Sequence, residues 1–187
     1  RVSLVAFGES EQTPTLDGTE VTAIHSDLTG AGTASVNLTA AGKLVSSAGA
    51  CFIGAQQNGP FAIDGALARS WLKQPSLGEH HISSVLRLSC NGKDITDRGS
   101  DTWIVDYGTS MTESDAALLA EPFAYVVEHI KPMRMAGQRE SRKRYWWRLG
   151  EPAPAMRKGV QALPRYLGTP RVAKHRVWRW LSSAVLP

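Results

Sequence analysis

Two cysteines in 187 residues, Cys51 and Cys90, are too few for a disulfide framework. Each lies in an apolar stretch, "ACFIGA" and "VLRLSC", and each is expected to be a buried free thiol in a reducing, cytoplasmic setting. Long apolar runs are also missing. None approaches the roughly 18 residues that cross a bilayer, so no membrane partner is expected. The charge, apolar-core and small-residue pattern of a signal peptide is absent as well. So are the glycine-rich dinucleotide loop, the P-loop, the G-x-S-x-G elbow and H-E-x-x-H. The two cysteines stand 39 positions apart with no CxxC spacing, which excludes the usual zinc pattern. The adjacent His80 and His81 cannot both easily reach one tetrahedral ion. Asp94, Asp97 and Asp101 lie in "NGKDITDRGSD", whose Asn, Gly and Ser read as loop chemistry. No catalytic residue, cofactor-binding residue or metal ligand is therefore assigned. The chain begins with Arg1 rather than Met and is expected to be a piece of a longer polypeptide.

What is present is a division of charge. Residues 1–130 carry 7 Lys and Arg against 15 Asp and Glu, a net of −8; residues 131–187 carry 14 against 2, a net of +12. The balance of +4 and the pI near 9.3 conceal this split. A basic third of this kind is expected to face an anionic partner, of which nucleic acid is the commonest; a basic face that is merely solvated is the plainer alternative.

Along the chain, Arg1–Phe7 reads as a strand. A turn at Asp17-Gly18 is followed by a second strand over Glu20–Leu28 and a flexible connection over Thr29–Gly42. Ala50–Ala55 reads as a short buried strand, and Asn58-Gly59-Pro60 as a turn. Asp64 is placed to cap a helix over Gly65–Lys73. "SVLRLSCNGKDI" reads as strand with a turn at Asn91-Gly92, and Asp101–Gly108 as a further strand. Thr112 and Asp115 have capping-box spacing before a helix containing Leu118 and Leu119. Pro122 cuts that helix or begins another through Phe123, Val126, Val127 and Ile130, and Pro132 is a further break. Met133–Leu149 is expected to be one helix. "EPAPAMRKGVQAL" reads as a turn and a short helix, and two strand-like pieces flank Pro170. In the second, alternation over Val172–Leu181 places Lys174, Arg176, Trp178 and Trp180 on one face. Strands, then helices, then strands, without regular βαβ alternation, imply an α+β fold with a mixed or antiparallel twisted sheet and several helices. Trp71, Trp103, Leu118, Phe123 and Val127 are the predicted core.

The stretch "RESRKRYWWRLG" (Arg139–Gly150) concentrates five cations around three consecutive aromatics. As a helix it would set Arg139, Arg142, Lys143 and Trp146 on one side. Tyr145, Trp146 and Trp147, each displaced by about 100°, span too wide an arc for one stacking platform. At least one is expected in the core, Trp147 or Tyr145, with the cations outward. That suits a duplex backbone better than a single strand. "GQRESRKR" has no continuous apolar face for a membrane surface.

Several segments in order resemble a known family: "DGTEVTAIHSDL", "GPFAIDGALARSWL", "NGKDITDRGSDTWIVDYG", "EPFAYVVEHIKPMR", "RESRKRYWW" and "RYLGTPRVAKHRVWRWL". The series resembles the target-recognition region of MmeI-like type II restriction–modification DNA methyltransferases over nearly the whole chain. The resemblance implies a parent enzyme, cytoplasmic and prokaryotic, that uses S-adenosylmethionine to methylate adenine N6 in double-stranded DNA. Residues 1–45 would be closing strands of its catalytic domain or the first hairpin of the recognition region. Residues 46–187 would be the target-recognition domain, continuing beyond the chain end. The catalytic Asn-Pro-Pro-Tyr-type motif and the glycine-containing cofactor motif are not in this chain. The fragment alone is thus expected neither to bind S-adenosylmethionine nor to transfer methyl groups, and its partners to be double-stranded DNA and the catalytic domain of the same polypeptide. Arg139, Arg142, Lys143 and Arg144 suit phosphate contacts, while Arg171, Lys174, His175 and Arg176 suit either phosphates or base edges. An RNA or single-stranded nucleic-acid binding domain is the alternative.

Overall fold

The computed structural model describes Gly8, residues 12–25, 28–30, Gly42, 44–75 and 81–187. The expected strand over Arg1–Phe7, His80 and most of the connection over Thr29–Gly42 lie outside the described residues. The chain divides into two compact units, Arg1–Ala48 and Gly49–Pro187, and the architecture is α+β. No helix among the described residues is long and apolar enough to cross a membrane.

In the first unit, β1 (Thr15–Leu16) pairs antiparallel with β2 (Thr19–Glu20). The expected turn joins them. Asp17 and Gly18 both take positive φ, 50° and 80°, which matches the twist that a two-residue hairpin needs. The strand expected over Glu20–Leu28 is shorter than the sequence implied: Val21–His25 lie outside any strand.

The second unit is built on a three-stranded antiparallel sheet in the order β3 (Ala62–Asp64), β5 (Thr102–Val105), β4 (Leu86–Leu88). β5 is central, with Trp103 opposite Ile63 on one side and Leu88 on the other. Its Ile104 and Val105 are buried. Helix α1 (Gly65–Leu72) starts where expected, because Asp64 accepts hydrogen bonds from the Ala66 and Leu67 N–H groups at 2.8 and 3.0 Å. Gly65 leaves room for the Asp101 carboxylate: a Cβ would lie 2.0 Å from it, so a larger residue would displace that side chain. Ala68 and Trp71 bury the inner face of α1.

Asn91-Gly92 is not a turn between strands. Asn91 caps a short helix, α2 (Gly92–Thr96), by accepting from the Lys93 and Asp94 N–H groups. Asp94 completes the box by accepting from Asn91 N–H at 2.8 Å, and its second oxygen accepts from Ser100 N–H. Burial pushes the Asp94 carboxyl up, but the hydrogen bonds from Asn91 and Ser100 and the nearby Arg179 charge outweigh it. The net pKa lies below the ordinary 3.8. "ACFIGA" is likewise not a buried strand. Among its residues Cys51, Phe52 and Ile53 are exposed, so only Cys90 is the buried thiol expected of both.

Thr112 begins α3 (Glu113–Ala117), its hydroxyl accepting from Asp115 N–H at 3.1 Å. Pro122 lies in the first turn of α4 (Ala120–His129), and Pro132 in the first turn of α5 (Lys131–Ala136), positions where its missing N–H is harmless. Of the predicted core, Trp71 is buried and Trp103 and Phe123 are half-buried. Leu118 and Val127 are exposed, and their neighbours Leu119 and Val126 are buried instead. The inner positions Ala116, Leu119, Phe123, Val126 and Ile130 keep an unbroken three-and-four spacing across the α3–α4 junction, so of each adjacent pair, Leu118/Leu119 and Val126/Val127, only one member falls on the inner face.

Met133–Leu149 is not one helix. α5 ends at Gly137, which is extended (φ −75°, ψ 169°), and a separate α6 (Glu140–Arg144) follows. The chain leaves α6 at Tyr145 (φ −118°, ψ 47°). Past that departure Trp146 and Trp147 both enter the core, 3% and 5% exposed. Trp146 packs against Phe123, and the Trp147 indole N–H donates to the Met111 carbonyl at 3.2 Å. Tyr145, one of the two aromatics expected inward, is the one left outside. Residues 150 and 151 then pair with 56 and 57 through backbone hydrogen bonds. The expected short helix, α7 (Pro154–Val160), follows. The last two strands, β6 (Arg165–Gly168) and β7 (Arg179–Ser182), form an antiparallel ribbon.

Replacing Trp147 with Ala should lower unfolding free energy by about 3–5 kcal/mol, and Tyr145→Ala by well under that; denaturant melts separate the two. The Asp94 carboxylate, its folded pKa depressed, contributes stability that is full above about pH 4 and is lost as pH falls through the folded value. The denaturant midpoint of the wild-type chain should therefore drop more steeply below pH 4 than that of Asp94→Asn.

Candidate nucleic-acid interface

The basic third presents two groups of cations. The first is on and around α6. Arg139 precedes the helix and Arg142 lies one turn on, and both reach the same Glu151 oxygen, at 3.7 and 3.2 Å. Lys143 binds Glu140 at 2.8 Å, one helical turn earlier. Glu140 and Glu151 are the only acids in residues 131–187, so this basic group absorbs both. Trp146, which helical spacing put beside these cations, has left the helix for the core. Arg144 is exposed, its guanidinium 5.4 Å from the centre of the Tyr145 ring.

The second group lies between β6 and β7. Strand structure begins only at Arg179, so the alternation expected from Val172 does not hold over residues 172–178. Arg171, Lys174, His175 and Arg176 are all exposed. Arg176 folds back to donate to the Pro170 carbonyl. No ion pair among the described residues engages Arg171, Lys174, His175 or Arg176. No hydrogen bond or ion pair among the described residues joins this group to the α6 group.

The ribbon adds residues that charge counting did not single out. Its register sets Tyr166, Gly168, Arg179 and Leu181 on one face and Arg165, Leu167, Trp180 and Ser182 on the other. The first face is inward. Leu181 is buried, the Tyr166 hydroxyl donates to the Val185 carbonyl at 2.9 Å, and Arg179 donates to the Asp94 carbonyl at 2.9 Å. Burial raises the Tyr166 pKa, so the phenol stays protonated. The second face is open. Trp180 is 55% exposed with the Arg165 guanidinium 4.3 Å from its ring centre, and Trp178 is 59% exposed. The alternation expected over Val172–Leu181 put Trp178 and Trp180 on one face with Lys174 and Arg176; both tryptophans are open, although strand structure covers only Trp180 of the four.

Three more arginines carry charge without a carboxylate. Arg134 is 4% exposed, and its Nη2 donates to the carbonyls of Gln57 and Arg148. Arg148 donates from Nε and Nη2 to the Met111 carbonyl and from Nη1 to that of Thr109. Arg179 donates to the Asp94 carbonyl, as above, and lies near enough to the Asp94 carboxylate to lower its pKa without forming an ion pair. Such bonds satisfy donors without cancelling charge, so the positive potential of this third survives folding. The two acids on the first group are then its brake. Glu151→Gln should release Arg139 and Arg142 together and raise the salt needed to elute the chain from immobilised heparin. Elution at the wild-type salt concentration would show that neither arginine faces a polyanion.

Comparison of the chain with protein-family models, with curated proteins and with solved structures finds no match.

Proposed function

We propose that this chain is the double-stranded DNA recognition module of an S-adenosylmethionine-dependent DNA adenine-N6 methyltransferase from a restriction–modification system. The observation that carries the nucleic-acid part is the exposed group Arg171, Lys174, His175 and Arg176, which no carboxylate neutralises, beside a ribbon bearing Arg165 and two open tryptophans. The methyltransferase class rests on the ordered series of segments quoted above. On this reading the catalytic domain of the same polypeptide takes the target adenine out of the duplex, and this module holds the flanking duplex in register. Arg139, Arg142, Lys143 and Arg144 neutralise phosphates. Arg171, Lys174, His175 and Arg176 bind phosphates or base edges, an arginine on guanine O6 and N7 discriminating by about 1–3 kcal/mol.

The cofactor belongs to the parent's catalytic domain. Two clefts among the described residues include Arg87 and Arg157 in one, and Arg134, Arg142 and Arg148 in the other. Guanidinium walls repel a sulfonium cation, so these residues do not fit S-adenosylmethionine.

A second reading, single-stranded DNA or RNA binding, draws on Trp178 and Trp180. Exposed aromatics beside arginine are the usual platform for unpaired bases. Salt titrations with duplex DNA, single-stranded DNA and RNA of matched length separate the two. Tightest binding to duplex supports the first reading, and tightest binding to either single strand supports the second. For duplex, Arg171→Ala and Lys174→Ala should each lower the slope of log K against log salt by about 0.9. A wild-type slope in both variants would remove this segment from the interface.

A further inference from the structure

Between α5, α6 and the turn that follows lies a cavity of about 180 Å³, lined by Arg134, Ser141, Arg142, Tyr145, Arg148 and Gly150 among others. Three arginines around one small cavity is an arrangement that needs a counter-charge, because like charges this close repel and buried charges are ordinarily paired. Arg134 is the decisive member. It is 4% exposed, its Nη2 donates to two backbone carbonyls, and its Nε has no hydrogen-bond partner. No ion pair among the described residues engages it or Arg148. Arg148 is likewise held by carbonyls, those of Thr109 and Met111. Burial, reinforced by the neighbouring Arg142 charge, lowers the Arg134 pKa, as expected for a cation without a counter-ion. Of the two acids in this third, Glu140 is taken by Lys143, and Glu151 binds Arg142 at 3.2 Å and is shared with Arg139 at 3.7 Å. One carboxylate thus stands against four guanidinium groups.

We propose that this cavity is an oxyanion site that takes a phosphate group. A tetrahedral phosphate brings the missing negative charge and several acceptors, and guanidinium forks match its geometry better than any other side chain. Ser141 and Tyr145, whose hydroxyls are neutral donors, are also among the lining residues. Glu151 competes with the ligand for Arg142, so occupancy exchanges a carboxylate for a phosphate at that arginine. The phosphate comes either from solution or from a nucleic-acid backbone. The second source rests on the function proposed above, since Arg142 also belongs to the α6 cations.

The test is calorimetric or ³¹P NMR titration of the full chain with inorganic phosphate, with chloride adjusted to hold ionic strength constant. Saturable binding is expected in the wild type. Arg142→Gln should weaken it about tenfold, the worth of one charge-assisted hydrogen bond, and Glu151→Gln should tighten it. Arg134→Met should abolish it, with circular dichroism to confirm that the variant folds. Arg142→Gln, at a half-exposed position, keeps the test decisive if Arg134→Met does not fold. Lys73→Ala, at an exposed position outside the basic third, should bind phosphate as the wild type does. Displacement of bound phosphate by a short DNA duplex identifies a backbone phosphate as the ligand. Duplex binding that leaves phosphate in place identifies a free oxyanion; both results support the site. Absence of saturable phosphate binding, or wild-type affinity in Arg142→Gln, overturns it. Duplex binding that persists in that case leaves the proposed function standing. Phosphate binding without any duplex binding removes that function and keeps the site.

Discussion

Arg157 donates two hydrogen bonds to Asp106, at 2.8 and 3.0 Å, where the carboxylate is almost wholly out of water. Asp106 follows β5 directly, and Arg157 is on α7. The pair therefore fastens the central strand of the sheet to the last helix of the chain. A buried carboxylate without this partner would be costly, so neither side chain is free to move away alone. Met156 enters the core next to it, and Tyr107 does so on the sheet side. The ribbon begins five residues after α7. Its inner face is tied back by Arg179 to Asp94, and the chain end by backbone bonds between Leu186 and both Leu88 and Cys90. The placement of the second basic group follows from these three attachments.

Beyond Arg139 and Arg142, which share Glu151, four further arginines of the basic third are joined to carbonyl rather than to carboxylate. Arg134, Arg148, Arg176 and Arg179 each donate to the backbone. This is a local consequence of composition. With two acids for fourteen cations, the guanidinium groups take the acceptors that are abundant. Hydrogen bonding and neutralisation, which an ion pair delivers together, are separated here. The arginines are structural and remain charged.

The parts of the fold legible in the sequence were those set by one residue acting on its own neighbours. Asp64 and Thr112 cap helices, Pro122 and Pro132 stand in first turns, and Asp17-Gly18 closes a hairpin. Asn91 misled because its side chain serves a turn and a helix cap by the same hydrogen bonds, and only the chain's onward path distinguishes them. "ACFIGA" misled because apolar density signals burial only when a partner surface exists. The helix over Met133–Leu149 is interrupted twice, at the extended Gly137 and again at Tyr145, where the chain turns and both tryptophans enter the core. At the candidate interface the cations were legible from charge. Their pairing was not, because Glu151 meets Arg139 and Arg142 only after the chain has turned through Tyr145–Gly150. Arg134 gave no sign of burial, since nothing in the sequence marks an arginine that will face carbonyls.

Five of the six tryptophans are sorted by this architecture into two optical classes, with the sixth between them. Trp71, Trp146 and Trp147 are enclosed, Trp103 is half-covered, and Trp178 and Trp180 stand in water. Enclosed indoles emit at shorter wavelength and are shielded from dissolved quenchers; open ones emit further to the red and are readily quenched. The blue component therefore follows the integrity of the core around the Tyr145–Gly150 turn, and the red component follows whatever settles on the ribbon. The chain carries its own two-channel fluorophore, without any label.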